Sequence, residues 1–114
     1  AEARALLGRT EEEQKAAEFR LGMVLLGLYE EMVHDSHIMD AVEKQILPRT
    51  EEALAISTDG FAQGRFSYLE VLDAQRTIFD VKHEYIRAAT SYHQFLAEVE
   101  RLIGQPIEGS EPQQ

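Results

Sequence analysis

The sequence predicts an all-α fold, a long antiparallel coiled-coil hairpin. Three observations carry that expectation. Apolar residues recur every seven positions through most of the chain, prolines occur only at 48, 106 and 112, and one glycine-containing turn at residues 62 to 67, "AQGRFS", divides two long periodic stretches.

The ascending helix is the clearer of the two. Val71, Ile78, Tyr85, Tyr92 and Val99 occupy one heptad position, and Ala74, Val81, Ala88, Phe95 and Leu102 follow three residues later. Five consecutive heptads of this kind mark a coiled-coil seam. A second stripe, Leu72, Phe79, Ile86, Ala89, Leu96 and Ile103, runs beside the first. A helix with two apolar stripes needs neighbours on both flanks.

The descending helix shows the same duplication. Leu25, Met32, Met39, Ile46 and Ala53 lie seven apart, with Leu26, Val33, Leu47, Leu54 and Phe61 alongside. Pro48 falls inside this pattern and costs about 3 kcal/mol in a helix interior. Because both stripes keep their heptad spacing across it, the sequence reads as a kinked helix and not a terminated one. At the near end, Thr10 and Glu13 form a capping box after Gly8, which starts the helix there and leaves residues 1 to 7 unassigned.

The turn between the helices is specified residue by residue. Gly64 suits the left-handed conformation that closes a helix, Ser67 can cap the next, and Glu70 completes an S-x-x-E box near the positive helix end. The hairpin therefore occupies residues 1–104. Its descending helix covers about 10–62, its tip 63–67 and its ascending helix about 67–103, a rod of roughly 55 Å at ~1.5 Å per residue. The tail 105–114, rich in Gly, Pro, Ser and Gln, reads as disordered. Two helices cover only one stripe each, so the remaining stripes call for a third helix or an oligomeric bundle. Residues 10 to 34 supply the third helix if the chain folds back at "HDSH", residues 34 to 37.

Composition narrows the function. With 21 acidic and 11 basic residues the chain carries a net charge of −10, which disfavours nucleic acid and anionic membranes as partners. It contains no cysteine, so disulfides, thiol catalysis and cysteine zinc sites are absent, and the redox compartment stays open. No nucleophile beside a base and no phosphate loop occurs, and a rod offers no deep pocket. Neither catalysis nor a cofactor is expected.

One metal-ligand spacing stands out. Glu30, His34 and His37 fall at i, i+4 and i+7 on one helix face, a spacing able to hold zinc or copper, although a solvated polar face explains the same residues. His83 and His93 join no ligand set. Tyr85 and Tyr92 belong to the packing seam.

The stretch "LPRTEEALAISTDGFAQGRFSYLEVLDAQRTIFDVKHEYIRAATSYHQFLAEVERLIG", residues 47 to 104, closely resembles the C-terminal signature of TolC-like outer-membrane efflux ducts. Its "GRFSYLEVLDAQRT" portion is most similar to the heavy-metal branch for cobalt, zinc and cadmium. The resemblance implies a trimer of two-repeat protomers, with an outer-membrane β-barrel and a periplasmic α-helical tunnel. It implies that Gly64, Arg65 and Phe66 form the periplasmic tip that docks the hairpin of an adaptor, or membrane fusion protein, in an RND tripartite system with an inner-membrane pump. Glu70 and Asp73 match the acidic positions at the tunnel's closing aperture, where carboxylates around a threefold axis repel one another and attract a transported cation. Only one repeat is present, without preceding strands, signal peptide or anchor cysteine, so the chain reads as a fragment of such a duct. A stand-alone coiled-coil dimerisation or scaffold module is the alternative, and a metal-sequestering helical protein using Glu30, His34 and His37 a third.

Overall fold

The computed structural model describes residues 2–104; the tail at 105–114 lies outside the described residues. Helix α1 spans Glu2–Ala41, a π turn follows at Val42–Ile46, α2 spans Leu47–Ala62 and α3 spans Tyr68–Ile103. From Glu2 to Ala62 the chain is helical throughout, about 90 Å at ~1.5 Å per residue. That length accounts for the long axis of a molecule measuring 91 × 32 × 17 Å. Helix α3 returns antiparallel along α2 and the C-terminal part of α1, making the coiled-coil hairpin that the heptads predict.

The inner seam of α3 follows the first heptad stripe. Val71, Ile78 and Ala88 are buried, and Ala74, Val81, Tyr85, Tyr92, Phe95, Val99 and Leu102 are half-buried. The second stripe stays open to solvent: Phe79 is 70% exposed and Ile86 59%, with Leu72 and Ile103 also exposed. Only Ala89 and Leu96 of that stripe are half-buried.

On the other side of the hairpin the sequence expectation needs correction. The two stripes of the descending helix do not keep their register past Pro48. Above the π turn, Leu25, Leu28, Met32, Asp35, Met39 and Val42 face inward; below it the inward positions are Leu47, Thr50, Leu54 and Ser57. Ile46 is 42% exposed, and Ala53 is exposed as well. The physical reason is the π turn, where the Leu47 N–H donates to the Val42 carbonyl across five residues instead of four. One extra residue in the turn carries the seam from one apolar stripe to the other. An unbroken α-helix would have placed Arg49 in the seam, where Thr50 now sits with its hydroxyl donating to the Leu47 carbonyl at 2.8 Å. Pro48, which has no N–H to give, sits in the first turn of α2, where the missing donor is best tolerated. An exposed ion pair, Lys44 to Asp40 at 2.8 Å, runs from α1 into the π turn, and that hydrogen bond holds the ammonium above its ordinary pKa.

Two further expectations fail for a common reason. No helix starts at Thr10, because α1 is already running at Glu2; the Thr10 hydroxyl instead donates back to the Leu6 carbonyl at 2.9 Å. A chain break at residues 34 to 37 is also absent. Helix α1 passes unbroken through "HDSH", so residues 10 to 34 do not fold back as a third helix. The first inward-facing residue is Leu25, close to the level where α3 ends. Residues 2 to 24 therefore project past the hairpin, with Leu6, Leu7, Phe19, Met23 and Val24 more than half exposed.

Candidate docking tip and gate

The tip is closed by main-chain bonds. Helix α2 ends with Gln63 at φ −90°, ψ 1°, its N–H donating to the Asp59 carbonyl at 3.1 Å. Gly64 follows at φ +76°, the left-handed region that a Cβ disfavours. Its N–H donates to the Phe61 carbonyl at 3.0 Å, and the Arg65 N–H donates to the Gly60 carbonyl at 2.8 Å. These two bonds form a Schellman closure, with Gly64 as the left-handed residue. The Phe66 N–H also reaches the Gly60 carbonyl, at 3.2 Å, so one carbonyl accepts two donors. Replacing Gly64 by alanine is expected to cost about 1–2 kcal/mol, read as a lower midpoint in thermal denaturation followed by circular dichroism.

Sequence reasoning missed Gly60. A Cβ built there would lie 2.1 Å from Cδ2 of Phe66, so the phenyl ring lies directly over the α-carbon. Gly60 is buried and is the one residue whose size sets how closely the ring of Phe66 folds back on α2. A glycine four residues ahead of a helix-ending glycine is a usable signal for such a contact, since interior helical glycine is otherwise unfavourable. Phe61 and Tyr68 pack across the turn with ring centroids 5.3 Å apart, joining the two helices beyond the backbone bonds. The Arg65 guanidinium donates to the Gln63 side-chain carbonyl, and the Gln63 amide donates to Asp59 at 3.3 Å.

Ser67 takes the N-cap position with extended backbone, φ −77°, ψ 159°, but its hydroxyl makes no capping hydrogen bond. The expected reciprocal S-x-x-E box is not formed. The Glu70 N–H, which the Ser67 hydroxyl would have served in that box, is instead taken by the Ser67 carbonyl at 3.1 Å. The Glu70 side chain is thus released from the cap and is exposed. Asp73 is exposed one turn further along, and neither carboxylate has a hydrogen-bond or ion-pair partner among the described residues. Asp80 and Glu84 continue the same flank of α3, while Leu72, Phe79 and Ile86 mark the opposite one. Helix α3 thus carries an acidic flank and an apolar flank on either side of its inner seam.

The other candidate residues do not converge. Glu30, His34 and His37 remain exposed along α1, and no group of three metal-ligating side chains gathers among the described residues. His83 stacks on Phe79 at a centroid distance of 6.5 Å, and His93 meets the ring of Tyr92 edge-on at 5.6 Å. The groove formed by His34, Asp35, Glu84 and Ser91 between α1 and α3 is open to solvent.

A tip of this geometry, at the end of a two-helix rod with an apolar flank left open, coincides with a sequence match. Residues 39–105 fit the family described as outer membrane efflux protein, covering more than half of the chain. The chain belongs to the outer membrane efflux protein family. Within it, the chain is 36% identical over 63 residues to the cobalt-zinc-cadmium resistance protein CzcC of Cupriavidus metallidurans. That alignment takes in 55% of this chain and 15% of the relative, so the chain spans only a small part of the relative's length. No solved structure matches. The matched region contains the π turn, α2, the tip and all of α3, and the family is one of transport conduits, not of enzymes. Among the described residues no helix is long and apolar enough to cross a membrane.

Proposed function

We propose that the chain is a periplasmic helical hairpin of an outer-membrane efflux duct, forming part of a passive export conduit for divalent heavy-metal cations. The observation that carries this reading is the arrangement of α3. Its inner seam is satisfied within the hairpin, its apolar flank is left open, and on its acidic flank Glu70 and Asp73 are exposed without an ion-pair partner among the described residues, whereas Glu84 pairs with Arg87 further along. A wall helix of a tunnel needs all three: a partner in its own hairpin, a contact surface for the next hairpin, and a polar side toward the aqueous bore. Family membership and the similarity to CzcC support the export role and the choice of metal cargo.

In this reading Gly64, Arg65 and Phe66 present the docking surface for the hairpin of a periplasmic adaptor, which links the duct to an inner-membrane RND pump. Trimerisation of the full-length protein repeats Glu70 and Asp73 around a threefold axis. The repeated carboxylates form a ring that concentrates cations and resists closer approach of the helices. Glu70 is available for this because the cap does not hold it, and Asp73 lies one turn further along on the same exposed flank.

The test uses the full-length protein in planar bilayers. Asp73→Ser is expected to raise single-channel conductance or relax cation preference, whereas a stand-alone coiled-coil module predicts no change beyond local helix stability. Recordings indistinguishable from the parent protein would remove Asp73 from the aperture.

A further inference from the structure

Three features coincide along the descending rod. The first is the π turn at Val42–Ile46, whose bond from Leu47 to Val42 is followed by Pro48. Proline has no N–H, so the next bond, onto Glu43 or Lys44, is missing, and two consecutive positions, 47 and 48, lack the regular α-helical bond. The second is the seam below the turn. Leu47, Thr50, Leu54 and Ser57 are only half-buried and two of them are polar, while the upper seam includes the buried Met32 and Val42 and a single polar residue, the buried Asp35. The third is the link across the turn itself: the exposed Asp40–Lys44 pair, which salt screens.

We propose that α2 is a separately opening unit, with the π turn as its swivel and the Schellman-closed tip as its other fixed end. Opening peels Leu47, Thr50, Leu54 and Ser57 from α3 while the upper seam, from Leu25 to Val42, stays closed. The extra residue in the π turn breaks the mechanical continuity that an unbroken α-helix would impose, so strain on α2 is not passed up α1. This inference rests on backbone geometry and seam composition, and it holds whatever the tip binds.

The test is hydrogen exchange read by mass spectrometry on the whole chain. Amides in the middle of α2 are expected to exchange roughly tenfold faster than those of residues 28 to 41, the difference set by about one helical hydrogen bond and a thinner seam. A second variant separates the swivel from a merely weak seam. Deleting the exposed Gln45 together with Pro48→Ala restores a continuous α-helix and leaves every inward residue in place. It should slow exchange in α2 toward the rate of residues 28 to 41.

A distance measurement provides the independent arm, helped by the absence of native cysteine. Spin labels on Glu31→Cys and Glu52→Cys, roughly 31 Å apart at ~1.5 Å per residue, should show a wider distance distribution than labels equally spaced on α3 at Asp80→Cys and Arg101→Cys. The deletion should narrow the first distribution to match the second. Equal exchange in α2 and upper α1, or an α2 rate and distance width unchanged by the deletion, would overturn the proposal. Loss of adaptor docking or of altered conductance in the duct would leave these readouts untouched, so the two readings fail separately.

Discussion

Gly60→Val is expected to destabilise the hairpin by about 3 kcal/mol, near the top of the usual range for overpacking a filled site. At roughly 4 °C per kcal/mol for a chain of this size, the midpoint should fall by more than ~10 °C. The cause is local: even the first added carbon would sit 2.1 Å from the ring of Phe66, and the carbonyl of the same residue anchors both Arg65 and Phe66. To make room, the ring must leave its place over the Gly60 α-carbon and give up its packing on α2. Phe66→Ala in the same chain removes the obstacle, so the double variant should recover most of the loss. A penalty of equal size in the Phe66→Ala background would show that the ring is not the reason for glycine at this position.

Asp35→Leu is expected to act in the opposite direction, raising stability by about 1–3 kcal/mol. Asp35 is only 6% exposed, in the seam beside Ala88, and its Oδ2 has no hydrogen-bond partner among the described residues. An acceptor taken out of water without a donor costs free energy that an apolar side chain of similar size does not. Thermal and urea denaturation of the two chains measures the difference. A lower midpoint for the leucine variant would overturn this account of Asp35; Arg87, Ser91 and Gln94 line the same groove and are among the donors available to it.

How much of this was readable beforehand differs along the chain. The α3 seam was legible because its heptad fills both of its positions without interruption from Val71 to Leu102, whereas the second stripe steps from one position to another between Ile86 and Ala89. The glycine at 64 was legible because a left-handed helix terminus is a property of one residue. The descending helix misled because both candidate stripes are apolar: Ile46 and Ala53 satisfy a heptad as well as Leu47 and Leu54 do. What decides between them is Arg49 against Thr50 at the intervening position, together with Pro48 two residues past the turn. That choice emerges only when the two helices are laid side by side. The capping boxes misled for another reason. Thr10 matched the pattern inside a helix already under way, and at Ser67 the backbone met the need before the side chains could. Gly60 was hidden because its partner, Phe66, reaches it only after the chain has reversed. Of the functional residues, Gly64, Arg65 and Phe66 were located by their place in the turn. The roles of Glu70 and Asp73 came from family resemblance, to which the structure adds that both are solvent-facing and unpaired.

The closure of the tip by main-chain bonds carries one more consequence. Its shape depends on two glycines and a handful of amide–carbonyl pairs, whereas Gln63, Arg65 and Ser67 contribute surface without defining the frame. Charge, bulk and polarity at those three positions can then drift freely as long as the glycines stay. The hairpin end behaves like a fixed socket with exchangeable facings, so matching it to a different partner requires new side chains and no new architecture.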